Sequence, residues 1–186
     1  SAFDKLNPTQ RRAAELAFGA TEVGLIHGPP GTGKTEVLVA LLRALADQGE
    51  KPWALADSNA AVDHLCLRAS TTGLNVVRLG VSARISSAVQ PLTLEWRILN
   101  GPREAVIRRL MREASRATGE EGIELRDAIR SEWANAKREV LASADVLAMT
   151  LGTLHTRGAT LPNPRTVVVD EASQVTEPAL WLLASR

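Results

Sequence analysis

The sequence predicts an α/β fold, in which a parallel β-sheet carries helices on both faces. Three observations lead to this fold class. A glycine-rich loop joins a short apolar run to a segment of helical periodicity, strand-like and helix-like patterns then alternate, and a run of valines ends in two acidic residues. Buried parallel strands have such continuous runs of β-branched residues, and helices connect them.

Length and composition fit one globular domain. A chain of 186 residues can bury a substantial core but is too short for two large domains. No run approaches the ~18 apolar residues of a membrane span and no basic-then-apolar leader begins the chain, so we expect no membrane partner. The lone Cys66 excludes an internal disulfide and favours an intracellular location, cytoplasmic or in the nucleoid or nucleus. The net charge of +1 is too small to attract nucleic acid over a long range. A nucleic-acid partner must therefore be inferred from local chemistry.

The segment 28–35, Gly-Pro-Pro-Gly-Thr-Gly-Lys-Thr, fits the pattern of a phosphate-binding P-loop. Residues 23–26 before it predict a strand, and the apolar spacing after it predicts a helix. Backbone N–H groups of such a loop and the helix N-terminus face an anion. Lys34 would neutralise the β- and γ-phosphates, and Thr35 would place a hydroxyl on Mg²⁺. The predicted ATP-binding residues are Gly28, Pro29, Pro30, Gly31, Thr32, Gly33, Lys34 and Thr35.

The N-terminal segment predicts a helix that ends near Phe18. Asn7 is a favourable N-cap, and Pro8 suits the first helical position. Gln10 stands three residues after the cap, where a capping box places Glu or Gln. The spacing therefore explains Gln10 as part of a helix cap.

Beyond the P-loop helix, a turn at residues 48–52 precedes a second strand at residues 53–56, and residues 75–79 predict a third. Ser58 and Asn59 lie between the second strand and the next helix. Either residue could be the N-cap of that helix. A helix N-terminus at the carboxyl end of a strand is also where a nucleic-acid phosphate would bind.

Residues 91–137 have a different pattern, which we interpret as an inserted helical hairpin. Two stretches of helical spacing flank a break at residues 117–122. This division assigns residues 1–90 and 138–186 to the ATP-binding core. Acidic residues nearly balance the many arginines of the insertion, so a solvated helical face is the default explanation, and a basic clamp for nucleic acid is the alternative.

The second half of the predicted nucleotide site follows the valine run at residues 167–169. Asp170 would hold Mg²⁺, through water, and Glu171 would orient and deprotonate the water that attacks the γ-phosphate. The alternative is that both acids simply precede a helix, which Glu177 and Pro178 begin. A further strand at residues 146–149 ends at Thr150.

Four stretches occur together in the order found in superfamily 1B helicases: residues 6–10, 28–35, 58–63 and 170–174. The chain most resembles the branch with the nonsense-mediated-decay RNA helicase, senataxin and the immunoglobulin-mu-binding helicase. This resemblance implies the first RecA-like domain of an ATP-driven translocase that moves 5′ to 3′ on single strands. It also implies that Gln10 reads the adenine edge, and that Ser58, Asn59 and Thr150 contact the strand. Asp57 and Leu151 depart from the family, which usually has a neutral residue and a threonine there.

Nothing that resembles the third helicase motif, Gly-Asp-x-x-Gln-Leu, occurs before Arg186. We therefore expect an incomplete RecA-like domain of a longer helicase, with a second RecA-like domain as its partner and little activity alone. In RecA-like sheets, as the resemblance implies, the strand before that motif separates the P-loop strand from the Asp170 strand. Without it, we expect these two strands to pair directly, another chain to fill the gap, or a loose region that self-associates.

The leading hypothesis is thus the ATP-binding part of an ATP-dependent helicase acting on single-stranded DNA or RNA. The alternative is a P-loop ATPase switch that controls a protein partner through the helical hairpin. Stimulation of ATP hydrolysis by a single strand would distinguish the two. The choice between DNA and RNA depends on contacts to the 2′-hydroxyl that the sequence does not locate.

Overall fold

The structure, a computed structural model, describes residues 2–184 apart from the side chains of Ala159, Leu180, Leu182 and Ala184. Arg186, the last residue assigned to the predicted ATP-binding core, lies outside the described residues. The helices are α1 (Pro8–Phe18), α2 (Lys34–Asp47), α3 (Asn59–Ser70), α4 (Leu94–Leu99), α5 (Glu104–Ala114), α6 (Gly119–Ser143), α7 (Leu151–Arg157) and α8 (Glu177–Ala184). The strands are β1 (Trp53–Ala56), β2 (Val76–Arg78), β3 (Val146–Thr150) and β4 (Val167–Val169).

The four strands form one parallel sheet in the order β2-β3-β1-β4. In its register, Ala56 of β1 lies beside Thr150 of β3, and Leu55 lies beside Val169 of β4. The carboxyl ends of these three strands therefore meet at one edge of the sheet, where ligands of parallel sheets bind. The predicted α/β fold with a parallel sheet is confirmed.

Helices cover both faces of the sheet, as predicted. Successive strand residues point to opposite faces, and β1 shows this alternation directly. Ala54 and Ala56 pack with buried residues of α1, α2 and α3, whereas Trp53 and Leu55 pack with those of α4, α5, α6 and α7. Each face thus has its own apolar core, and burial of both faces explains why the strand sequences lack polar alternation.

The predicted hairpin is formed by α5 and α6, which pack against each other, and Ile107 and Ala136 belong to the same buried cluster. Arg103, the N-cap of α5, forms ion pairs with Glu132 and Glu139 of α6, each with an N–O distance of 2.6 Å. These pairs account for part of the insertion's basic charge. Helix α6 continues without a break to Ser143, so the boundary predicted at residue 137 falls inside a helix.

The prediction of a strand at residues 23–26 is wrong for this structure. The segment is irregular, and Val23 and Leu25 are 77% and 89% exposed, whereas Ile26 is partly buried against the core. A strand needs a hydrogen-bonded neighbour, and β4, an edge of the described sheet, pairs only with β1 among the strands that the structure describes. Direct pairing of the two segments, one of the three expected responses, does not occur.

We predict that Cys66 will not react with iodoacetamide in the folded protein at a pH of about 8. The residue is completely buried in α3, and burial raises the pKa of its thiol to about 12, so the reactive thiolate is scarce. Alkylation, followed by mass spectrometry, should become rapid only in denaturant. Fast modification under native conditions would contradict the packing of α3 against the sheet.

Candidate functional site

The P-loop leads directly into α2, whose first residue is Lys34 and whose N-cap is Gly33. Gly31 and Gly33 adopt left-handed conformations, with φ of +79° and +80°. Only glycine adopts this region freely, so the two residues let the chain turn tightly before the helix. The first N–H groups of α2 thereby stand at the mouth of the loop, in the arrangement that binds phosphate.

The side chain of Lys34 folds back onto the loop. Its ammonium group donates to the carbonyl of Gly28 at 2.9 Å and to that of Pro29 at 3.4 Å. The hydroxyl of Thr32 also donates to the Pro29 carbonyl, at 2.8 Å. These acceptors are neutral, so an anionic phosphate would compete for the ammonium with a charge-assisted bond. Thr35 follows Lys34 in the first turn of α2 and is half-buried.

Gln10 joins helix α1 to the P-loop. Its backbone N–H donates to the side chain of Asn7 at 2.9 Å, and its Oε1 accepts from the backbone of Asn7 at 3.0 Å, which confirms the predicted capping box. The remaining group, Nε2, donates to the carbonyl of Thr32 at 3.0 Å. Both ends of this amide have partners within the chain, so reading an adenine would require it to exchange at least one of them.

Asp170 and Glu171 follow β4 at the carboxyl edge of the sheet. Asp170 is buried; its backbone N–H donates to the carbonyl of Leu55 and its carboxylate accepts from the N–H of Glu171. Burial raises the pKa of Asp170, and the negative charge of Glu171 acts in the same direction. The positive charges of Lys34 and His64 oppose that rise. The hydrogen bond from the N–H of Glu171 also lowers the pKa of Asp170, but the effect of burial is larger and the pKa is raised.

Glu171 is exposed and has an unusual backbone conformation. Its φ of 52° and ψ of 40° are left-handed, and it is the only residue other than glycine with positive φ in the described part of the chain. Such a conformation costs about 1–2 kcal/mol for an L-residue. It turns the chain away from β4 directly after Asp170. The helix expected beyond it, α8, begins at Glu177.

The donors at the site fit a magnesium ion that keeps most of its water. Within residues 2–184, no group of three or more His, Cys, Asp or Glu side chains is placed to hold a metal alone. Mg²⁺ in nucleotide sites is held by one or two protein oxygens together with water and phosphate oxygens. The Thr35 hydroxyl and the Asp170 carboxylate are oxygen donors of that kind.

Ser58, Asn59 and Thr150 lie together at the carboxyl ends of β1 and β3. Ser58 is the N-cap of α3, and its hydroxyl oxygen accepts from the N–H of Ala61 at 3.1 Å. Thr150 is the N-cap of α7; its hydroxyl oxygen accepts from the N–H of Thr153 at 3.2 Å, and its side chain is largely buried. The sequence assigned both capping and strand binding to Ser58 as alternatives. The cap is present, and the Ser58 hydroxyl, which accepts from the backbone, still has a proton to donate. The Thr150 hydroxyl also lies 3.0 Å from the hydroxyl of Thr153, with which it forms a hydrogen bond.

The sequence did not identify Arg78 as a member of this edge. Arg78 ends β2, is fully buried, and donates to the side-chain oxygen of Asn59 at 2.8 Å and to Asp63 at 2.9 Å. A signal was available, because an arginine within the otherwise apolar run at residues 76–79 requires a buried partner. The identity of those partners depends on the fold.

Comparison with known proteins places this site in a family. A family model described as an AAA domain matches residues 5–120 and 103–184, together most of the chain. The chain belongs to this AAA domain family of superfamily 1B helicases. The resemblance seen in the sequence is therefore confirmed.

Three curated relatives show how much of a helicase this chain spans. It is 32% identical to the DNA polymerase alpha-associated DNA helicase A of Schizosaccharomyces pombe, over 97% of this chain and 30% of that protein. It is 35% identical to a regulator of nonsense transcripts 1 homolog of Arabidopsis thaliana (94% and 14%) and 33% identical to the ATP-dependent helicase upf1 of Schizosaccharomyces pombe (94% and 20%). The chain thus covers less than a third of each relative. Among the described residues, no helix is long and apolar enough to span a bilayer.

We predict that Gly33→Ala will weaken nucleotide binding at least about tenfold and lower the free energy of unfolding by about 1–2 kcal/mol. A Cβ at this position would force a left-handed alanine and come 2.4 Å from Nε2 of Gln10. Fluorescent ATP analogue titration and urea unfolding measure the two effects.

Gly49→Ala is the matched control for this prediction. Gly49 has the same left-handed conformation, with φ of +79°, but no atom lies within 4 Å of the Cβ it would gain. It should share the conformational cost and leave nucleotide binding unchanged. Equal nucleotide affinities of the two variants would show that the contact between Gln10 and the loop has no part in binding.

Proposed function

We propose that this chain is the ATP-binding part of an ATP-dependent helicase that acts on single-stranded nucleic acid. The observation that carries the proposal is the geometry of the P-loop. The left-handed Gly31 and Gly33 turn the chain into α2, so that Lys34 and the first N–H groups of the helix stand where a phosphate binds. Asp170, a buried acid at the end of β4, lies at the carboxyl edge of the sheet. A phosphate cradle together with an acid that can hold Mg²⁺ is what nucleotide hydrolysis requires.

The proposed roles follow from charge and position. The ammonium of Lys34 would leave its carbonyl partners and neutralise the β- and γ-phosphates, while Gln10 would read the adenine edge. Thr35 and Asp170 would hold Mg²⁺, which when bound neutralises the charge developing on the phosphates. Glu171 would accept a proton from the attacking water, because its carboxylate is exposed next to the buried acid. Lys34 and Glu171 are thus the proposed catalytic residues.

The proposed strand site is the adjoining part of the same edge. Ser58 would donate its hydroxyl proton, and Asn59 its amide protons, to the sugar-phosphate backbone. Thr150 would do the same with its hydroxyl after exchanging its hydrogen bond to Thr153. Such contacts hold a strand without reading its bases. The alternative, an ATPase switch that controls a protein partner, would use the same nucleotide site but not this one. Strand-stimulated hydrolysis therefore distinguishes the two functions.

We also propose a second RecA-like domain as a partner. The relatives extend far beyond the matched region, and Glu171 and the P-loop lie on an open surface. A second domain would cover the face of the nucleotide that otherwise remains in water. The exposed Val23 and Leu25, and the edge of β4 that has no strand partner among the described residues, favour contact with a further strand or with a second copy of the chain.

We predict that Lys34→Ala will weaken binding of a fluorescent ATP analogue at least about tenfold, because it removes a charge-assisted contact.

In the intact protein, Glu171→Gln should retain nucleotide binding and stop hydrolysis, because the amide keeps the shape but is not a base. Lys137→Ala, in the hairpin helix α6, is the control and should change neither property. Equal affinities of wild type and Lys34→Ala would refute the P-loop assignment, and turnover by Glu171→Gln would remove Glu171 from the mechanism.

For the strand site, we predict that Thr150→Ala will weaken single-strand binding and destabilise the protein by about 1 kcal/mol, because it removes both a donor and an N-cap. Thr150→Ser keeps the hydroxyl and should behave like wild type. Binding should weaken linearly with the logarithm of salt concentration and be indifferent to base sequence. Fluorescence anisotropy measures each effect, and normal strand binding by Thr150→Ala would exclude this residue from the site.

A further inference from the structure

Arg78 is a fully buried arginine at the end of the edge strand β2, outside every site that the sequence indicated. A buried guanidinium needs a counter-charge and partners for its donors. Asp63 of α3, itself buried, supplies the charge, with its Oδ1 2.9 Å from Nε of Arg78. The other oxygen of Asp63 accepts from the backbone N–H of Ser86 at 2.7 Å. Both carboxylate oxygens of Asp63 therefore have hydrogen-bond partners within the protein.

The guanidinium has donors beyond those that the ion pair uses. One of its terminal nitrogens donates to the carbonyl of Leu79, and the other reaches Oδ1 of Asn59 at 2.8 Å. Gly80 leaves space for this fork, because a Cβ there would lie 3.0 Å from the guanidinium. The contact with Asn59 is not needed to neutralise Arg78, because Asp63 already supplies the counter-charge. The contact instead determines the orientation of the Asn59 side chain.

The contact fixes which way the Asn59 amide faces. Arginine has donors and no acceptor, so only the oxygen of the amide can point toward Arg78. The nitrogen of the amide, with its two protons, then points away. Asn59 is half-buried in the first turn of α3, and within residues 2–184 its Nδ2 has no recorded hydrogen bond. An oriented pair of donors thus stands at the carboxyl end of β1, beside Ser58.

We propose that Arg78 is a positioning residue for nucleic-acid binding: it holds the amide of Asn59 so that Nδ2 donates to the sugar-phosphate backbone. This inference rests on the proposed function, since it requires a strand at this edge. Arg78 itself does not touch the strand, because it is fully buried. Its charge is balanced by Asp63, so it acts through geometry and not through attraction of phosphate.

The test is a double-mutant cycle in the intact protein, with a fluorescein-labelled oligothymidylate and its oligouridylate counterpart as probes. Asn59→Ala should weaken binding about tenfold, the loss of a hydrogen bond to a charged group. Arg78→Lys keeps a positive charge near Asp63 but lacks the fork that reaches Asn59. It should weaken binding about fivefold in the wild-type background and less than about twofold in Asn59→Ala, because the two residues act as one unit.

Arg68→Lys is the matched control, because Arg68 lies on α3, the helix of Asn59, and forms an ion pair with Glu36 on the surface. It should bind both probes like wild type. If Arg78→Lys weakens binding equally in both backgrounds, Arg78 acts on the fold in general and the inference is overturned, while the proposed strand site stands. If Asn59→Ala binds both probes normally, position 59 holds no strand and the inference fails together with that part of the proposed function.

A measurement on the wild-type protein keeps the proposal testable if Arg78→Lys does not fold. The heteronuclear Overhauser effect of each side-chain amide reports its mobility, and Asn163, which is exposed, serves as the internal reference. The Asn59 amide should be rigid without nucleic acid, and its Nδ2 protons should shift when oligothymidylate is added. An Asn59 amide as mobile as that of Asn163 would overturn the inference.

Discussion

The parallel register of β1 between β3 and β4 is the constraint on which the rest of the structure depends. Because Ala56 lies beside Thr150 and Leu55 beside Val169, the chain segments that follow all three strands emerge at one edge. Residues more than a hundred positions apart become neighbours there. A shift by one residue would exchange the side chains of the two faces, so that Trp53 and Leu55 would meet the core that is shaped for Ala54 and Ala56. The same packing that stabilises the sheet therefore assembles the polar edge.

Polar side chains at this edge serve local structure as well as the proposed chemistry. Gln10 closes a capping box and reaches the P-loop, while Ser58 and Thr150 begin the helices α3 and α7. An N-cap oxygen accepts from the backbone, which orients the hydroxyl without using its proton. Capping and ligand binding are thus compatible at one residue. A substitution there alters both, so stability has to be measured beside affinity.

Local sequence patterns were sufficient to predict most helices and strands, and the order along the chain of the segments that form the candidate site. Strand β1 and the capping box of α1 lie where the sequence predicted them, because each follows from side chains near in sequence. The prediction of a strand at residues 23–26 was wrong. An apolar run indicates burial, but it does not provide the neighbouring strand that a β-strand also needs. The partners of Arg78 were beyond sequence reasoning, because they come from a helix that only the fold brings near. The contact between Gln10 and Thr32 has the same origin.

Because the backbone of Glu171 is left-handed, selection for stability and selection for the proposed activity favour different residues at this position. Glycine, or to a lesser degree asparagine, would occupy that conformation at lower cost. Laboratory evolution for heat resistance alone would therefore drift toward those residues, whereas the proposed role as general base predicts that a screen which also requires turnover would retain the acid. The frequency of Glu171 among survivors of the two regimes thus separates what the backbone prefers from what the chemistry demands. An unfavourable backbone conformation at an acidic residue thus gives selection a way to test a proposed catalytic role.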